Sequence, residues 1–168
     1  MTHRLHAGLL IALPLVFGQA AAGPLTLPHH DISLDGASRL LDAAFARCHA
    51  DGKVLAAAVV DRGGNLVALR RDDGVGPHNT AAAQQKAFTA LSTKTATRLL
   101  AANARTSAES ANLNTVSQLL LLGGGVPLTV EGEVVGAIGI AGAGGPATDE
   151  ACAMAAIDSV MPPAAARR

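Results

Sequence analysis

Aromatic residues are nearly missing from this chain: 168 residues include three Phe, no Tyr and no Trp. That excludes a nucleic-acid platform of the ordinary kind, in which bases stack on rings. Net charge is missing as well, because 13 Lys and Arg balance 13 Asp and Glu. No broad basic field therefore exists to hold phosphate backbones or an acidic membrane surface. Cysteine is scarce, and Cys48 and Cys152 form neither a C-x-x-C pair nor a Cys/His zinc spacing. No G-x-x-x-x-G-K-[S/T] phosphate loop occurs, and no Ser-His-Asp order with a strained nucleophile turn. What remains is 49% hydrophobic, rich in Ala and Gly, and too weakly charged for disorder. One compact domain is expected at this length.

Residues 1–22 have the pattern of a signal peptide. His3, Arg4 and His6 make a short polar start, Ala7 to Gly18 is an apolar stretch, and Ala20-Ala21-Ala22 offers small residues for cleavage. The stretch is too short to span a bilayer, which takes about 20 apolar residues. Export to the periplasm or the medium is expected, with no transmembrane span after processing. Removing Arg4 and Phe17 leaves Phe45 and Phe88 as the whole aromatic content. In an oxidising compartment Cys48 and Cys152 either pair or stay as small buried thiols, and the sequence leaves both open.

The domain is expected over residues 23–161, with a loose tail over 162–168. Ser33 or Asp31 can cap a helix whose apolar stripe is Leu34, Ala37, Leu41, Ala44, Phe45 and Cys48, with Gly52 ending it. Val54 to Val60 and Leu66 to Arg70 form a hairpin around Asp61-Arg62-Gly63-Gly64-Asn65. A helix follows from near Asn79 or Thr80, with a shorter one over Thr95 to Ala104. Val116 to Leu122 fits strand or helix by composition. Val126 to Val130 and Val134 to Ile140 form a second hairpin, closed by Glu131-Gly132-Glu133. Thr148 can cap a last helix that buries Ala151, Met154, Ala155 and Met161. Hairpins make antiparallel sheets, so the class is α+β: a two-layer sandwich with about five strands and helices packed on them.

Among the histidines, His29 and His30 adjoin in an extended arm and point opposite ways, which disfavours chelation of one ion by both. His49 lies near an exposed helix end. His78 follows Gly76-Pro77 at a helix entrance beside Asp72 and Asp73, and is the candidate metal or haem-iron ligand. Arg71 and Lys86 can hold a carboxylate or a propionate, with Arg supplying the bidentate fork. Asp61–Arg62 and Asp73–Lys86 can equally be rim ion pairs. The glycines at 139, 142, 144 and 145 precede a helix but have no βαβ unit after them, so tight packing or a small-anion nest is the reading there.

The motifs together resemble a known family. Val59-Val60-Asp61-Arg62-Gly63-Gly64-Asn65-Leu66-Val67-Ala68 is similar to the hairpin of the GlcG/HbpS-like (haem-degrading, DUF336-type) proteins. Arg71-Asp72-Asp73-Gly74-Val75 and Lys86-Ala87-Phe88-Thr89-Ala90 resemble its next two blocks. Gly124-Gly125-Val126-Pro127-Leu128, Gly132 to Ile140 and Asp149-Glu150-Ala151 resemble its last three. Asp72, Val75 and Ala141 depart from the family's usual residues beside the presumed pocket. The resemblance implies a profilin- or PAS-like antiparallel sheet, homo-oligomers that are often octamers, and haem or iron as ligand. Arg71, Asp73, Lys86 and Thr89 lie in the matching blocks and, with His78, which rests on the reading of the residues alone, are the cofactor-binding candidates. The leading expectation is an exported haem, iron or small-molecule binding protein. Two alternatives stand beside it: slow haem breakdown or another small-molecule conversion using Asp73 or Lys86, and an accessory module of a membrane sensor.

Overall fold

The computed structural model describes residues 23–161. The signal-peptide reading and the tail over 162–168 lie outside the described residues. After an extended arm come helix α1 (Leu34–Ala50), strands β1 (Ala56–Asp61) and β2 (Leu66–Arg71), helices α2 (His78–Thr93) and α3 (Thr97–Thr106), and a short 3-10 turn (Ala111–Thr115). Strands β3 (Gly125–Val130) and β4 (Glu133–Ala141) and helix α4 (Pro146–Val160) complete the order. The strands form one antiparallel sheet in the order β2-β1-β4-β3. The α+β class is as expected, with four strands where about five were expected.

Local chemistry explains most boundaries. Ser33 Oγ accepts the Gly36 amide at 3.1 Å and starts α1. Gly52, at φ +66°, closes the helix by donating to His49 O while Lys53 donates to Cys48 O, a Schellman pattern. In the first hairpin Asp61 Oδ1 accepts the Asn65 amide at 2.8 Å. Burial pushes the Asp61 carboxyl up, but hydrogen bonds from Asn65, Gly63 and Gly64 outweigh it and leave it below its ordinary value. The second hairpin turns on Glu131 and Gly132, both at positive φ, the signature of the primed turns that match strand twist.

Two expectations fail. Val116 to Leu122 is neither strand nor helix; it is a turn-rich loop lying beside α2. Thr89 Oγ1, inside α2, accepts the Leu120 amide at 2.8 Å, so a side chain satisfies backbone that a ladder would otherwise claim. Helix α4 starts at Pro146 behind Gly145, without Thr148 as its cap. It buries Asp149, Cys152, Ala153, Ala156 and Ile157, whereas Met154 is 43% exposed and Ala151 faces solvent. Nearly every residue of α4 is small or apolar, so spacing alone does not mark its inner face.

Helices cover both faces of the sheet, one layer more than the two-layer sandwich expected, because both faces of β1 and β4 are apolar. Helices α1 and α4 pack on one face through Leu40, Leu41, Phe45, Cys152 and Ile157 against Val59, Leu128, Ile138 and Ile140. Helix α2 lies on the other through Ala83, Ala87 and Ala90 against Ala56, Ala58, Val60 and Ala137. Its backbone sits so close that a Cβ at Gly139 would collide with Ala83 and Ala87, and one at Gly125 with Lys86. Cys48 of α1 and Cys152 of α4 form a disulfide with their Cα atoms 5.7 Å apart. The open pairing question thus resolves to a staple within the α1–α4 layer.

Candidate functional site

Lys86 and Asp149 meet inside the protein, where both side chains are almost fully enclosed. Lys86 Nζ donates to Asp149 Oδ2 at 2.7 Å and to Ile140 O at 2.9 Å, and Asp149 Oδ1 accepts the Ala143 amide at 2.9 Å. Gly124 makes room for this arrangement, since a Cβ there would stand 3.1 Å from Lys86 Nζ. The pair joins α2, β4 and α4 and satisfies the backbone at the end of β4. Lys86 therefore pairs with Asp149, not with Asp73.

The remaining sequence candidates scatter. Thr89 is buried and tethers the 116–122 loop. Arg71, Asp73 and His78 stay exposed on the turn from β2 into α2. The five candidates do not converge on one cavity, because Lys86 and Thr89 face the interior while the other three face solvent. The Asp61–Arg62 pairing is likewise replaced: Asp61 serves its own turn, and Arg62 bonds Glu133 across the hairpins. His49 is not simply solvated, since its Nε2 meets Asp72 Oδ2 at 2.9 Å and its ring stands edge-on to Phe45. Asp72 Oδ2 also accepts the Leu55 amide at 2.9 Å, a structural use for an acid that departs from the family's usual residue.

A cleft lies elsewhere, where the C-terminal end of α2 meets both hairpin turns. It measures about 630 Å³ and is lined by Phe88, Leu91, Val134 and Gly63, with Arg62, Lys94, Glu131 and Glu133 among its polar residues. That volume suits a drug-sized or cofactor-sized ligand. A second hollow of about 410 Å³, lined by Gln84, Gln85, Ser117 and Gln118, shares Phe88 with it. Among the described residues, the two non-glycine positions at positive φ are Lys94 (51°) and Glu131 (50°), and both line the larger cleft. Lys94 is the left-handed C-cap of α2 and Glu131 the first residue of the primed turn, so ordinary element ends bring both to the cleft.

Glu133 organises one side of this cleft. Its Oε2 meets His30 Nδ1 at 3.1 Å, and its Oε1 bonds Arg62. The His30 hydrogen bond, reinforced by the Arg62 charge, outweighs the cost of burial and holds the Glu133 carboxyl below its ordinary value. The arm carrying His30 is fixed on both sides. Asp31 Oδ1 accepts the Arg62 amide at 2.9 Å, and Ile32 N donates to Val135 O at 2.9 Å. Sequence reading missed this cleft because its members come from two turns, a helix end and the arm, and no spacing links them. The doubled acid of Glu131-Gly132-Glu133 beside Arg62 in the matching turn was the available signal.

An antiparallel sheet clad by helices on both faces, with a partly apolar cleft bearing opposite charges at its hairpin end, defines the class of this α+β domain. Within that class the chain belongs to the HbpS-like family, whose model, described as haem degrading protein HbpS-like, matches residues 32–158. Protein GlcG of Escherichia coli K12 is 34% identical over 112 residues, which is 65% of this chain and 80% of that protein. The fold is shared with a crystal structure of a Streptomyces reticuli HbpS double mutant, at 35% identity and a TM-score of 0.76, covering 88% of this chain and 99% of that one. A PduOC:haem complex is similar at 25% identity and a TM-score of 0.71, covering 78% and 96%.

Proposed function

We propose that this chain is an exported haem-binding protein that works as a homo-oligomer, and that its ligand lies in the cleft between the α2 end and the two hairpin turns. The observation that carries the reading is the pairing of chemistries in that one cleft. Phe88, Leu91 and Val134 offer an apolar surface, while Arg62 and Lys94 offer cations for carboxylates. Haem asks for both: a flat apolar ring and two propionates. Bound haem would supply iron redox chemistry and a Soret band; the protein's own residues bind the ring, orient the propionates and shed water from the apolar wall.

Family membership and the haem complex of the similar PduOC protein support the same ligand class. The Cys48–Cys152 disulfide supports export, because such bonds persist in oxidising compartments. Leu25 and Leu27 of the arm, 102% and 76% exposed, are apolar surface that a second copy would cover. Binding is preferred to turnover because Asp73, on the exposed turn, and Lys86, bound to Asp149, supply no shared acid–base site. The test is a haemin titration followed at the Soret band, using the wild type and an Arg62→Ala/Lys94→Asn variant. Asn is chosen because it tolerates the left-handed backbone at that position. Saturable binding that weakens at least about tenfold on loss of both charge-assisted contacts is expected. No saturable shift in the wild type refutes the reading.

A further inference from the structure

The N-terminal arm is anchored at the rim of the cleft and then leaves the body. Asp31 Oδ1 accepts the Arg62 amide at 2.9 Å, Ile32 N donates to Val135 O at 2.9 Å, and His30 Nδ1 meets Glu133 Oε2 at 3.1 Å. Arg62 and Glu133 both line the cleft, so the root of the arm and the mouth of the cleft share one rim. Beyond this root every residue from Gly23 to His30 is exposed. Leu25 and Leu27, at 102% and 76%, are the most exposed large apolar side chains among the described residues. None of the arm lines the cleft of its own chain. Apolar side chains held out in water by a fixed root mark a contact surface.

The cleft lacks what the arm carries. Its apolar residues are Phe88 and Leu91 of α2 and Val134 of β4, and the rest of its lining is Gly, Ser or charged. Small-molecule sites bury roughly 70–90% of their ligand, and a flat apolar ligand has two faces to cover. We propose that the arm of a second copy completes the cleft, laying its Leu25 and Leu27 opposite Phe88 and Leu91. The proposal rests on the homo-oligomer and cleft readings above and names what the partner contributes. Because root and cleft share a rim, a two-fold axis beside that rim carries each arm to the other copy's cleft, and the exchange is reciprocal. Seven residues, Gly23 to His29, reach at most about 25 Å, more than the width of a cleft of about 630 Å³. Pro24 and Pro28 lack amide donors, which disfavours addition of the arm to a sheet edge and suits an extended segment docked by side chains in a groove. Residues 23–28 carry no charged side chain, so covering them strands no ion.

The experiment uses protein purified after export, with the Cys48–Cys152 disulfide intact. Leu27→Cys and Ser92→Cys are made in separate chains, mixed without ligand and oxidised. A disulfide between the two variants, located by mass spectrometry, is expected, because Ser92 lines the cleft. Leu27→Cys mixed with Ser117→Cys, in the second hollow, should give none. In sedimentation, Leu25→Ser/Leu27→Ser should associate at least about tenfold more weakly than the wild type, as two leucines lose their burial. The same variant should bind protoporphyrin IX at least about tenfold more weakly, for want of the second wall. The proposal is overturned if an oligomeric wild type gives no link to Ser92→Cys, or if the link forms to Ser117→Cys instead. It is also overturned if Leu25→Ser/Leu27→Ser matches a porphyrin-binding wild type in association or in porphyrin affinity. A wild type that sediments as a monomer refutes the oligomer reading and the proposal with it. A wild type that forms the link to Ser92→Cys yet binds no porphyrin refutes the haem reading and leaves the arm exchange standing.

Discussion

Replacing Lys86 with Met separates a structural role from a functional one. The ammonium is bound to Asp149 Oδ2 at 2.7 Å and to Ile140 O at 2.9 Å, with the lysine 1% exposed. Lys86→Met keeps the volume and removes the charge, so Asp149 retains the Ala143 amide and loses its cation. Breaking one half of a buried pair costs about 3–5 kcal/mol, because the surviving charge stays desolvated. For a domain of this size that corresponds to a fall in Tm of roughly 10–20 °C. Adding Asp149→Leu removes the stranded carboxylate but leaves the buried Ala143 amide and Ile140 carbonyl without these partners, so it should recover only part of the loss. Circular dichroism melts of the two variants measure this directly. Haemin titration below the transition should give wild-type affinity for whatever remains folded, because Lys86 does not line the cleft. Unchanged melting with lost haem binding would refute this account and return Lys86 to the ligand site.

Three further outcomes are expected. The disulfide spans 104 residues, and closing a loop of that length stabilises by roughly 4–5 kcal/mol in the chain-entropy account; Cys48→Ala/Cys152→Ala should melt well below the wild type, while equal melting would place the two thiols unpaired. Thr89→Val should cost about 1 kcal/mol and raise hydrogen exchange at the Leu120 amide, which Thr89 Oγ1 accepts; unaltered exchange would show that the loop is held by other contacts. Asp61 has its folded carboxyl below the ordinary value, so its contribution is full above the unfolded pKa and is lost as pH falls through the folded one. Asp61→Asn should therefore lower stability at neutral pH and flatten the acid limb of a stability–pH profile, and an acid limb as steep as the wild type's would contradict this.

Local signals carried much of the fold. Ser33 before an apolar stripe, Gly52 after it, and the two glycine-bearing turns each name their element through short-range chemistry. The longer-range features were not legible. Lys86 and Asp149 are 63 positions apart, and nothing in either neighbourhood says that one neutralises the other. Val116 to Leu122 looks regular by composition, yet it takes its shape from Thr89 on another element. The inner face of α4 is hidden because Ala, Cys and Met occur on all its sides. For the site, the family-like blocks pointed to Arg71, Asp73, Lys86 and Thr89 and the helix entrance to His78, but adjacency in a motif does not decide which side chains share a cavity. The cleft is assembled by sheet register: β1 pairs with β4 through Asp61 and Gly136, which brings the Arg62 turn beside the Glu133 turn.

The central claim is that the cleft at the α2 end receives a carboxylated tetrapyrrole. Adding iron-free protoporphyrin IX to isotopically labelled protein and following amide shifts by NMR tests it most directly, since that ligand is diamagnetic. The account predicts saturable shifts centred on Gly63, Phe88, Leu91, Lys94 and Gly132. Shifts centred instead on Arg71 to Asn79, or no saturable shifts at all, would contradict it.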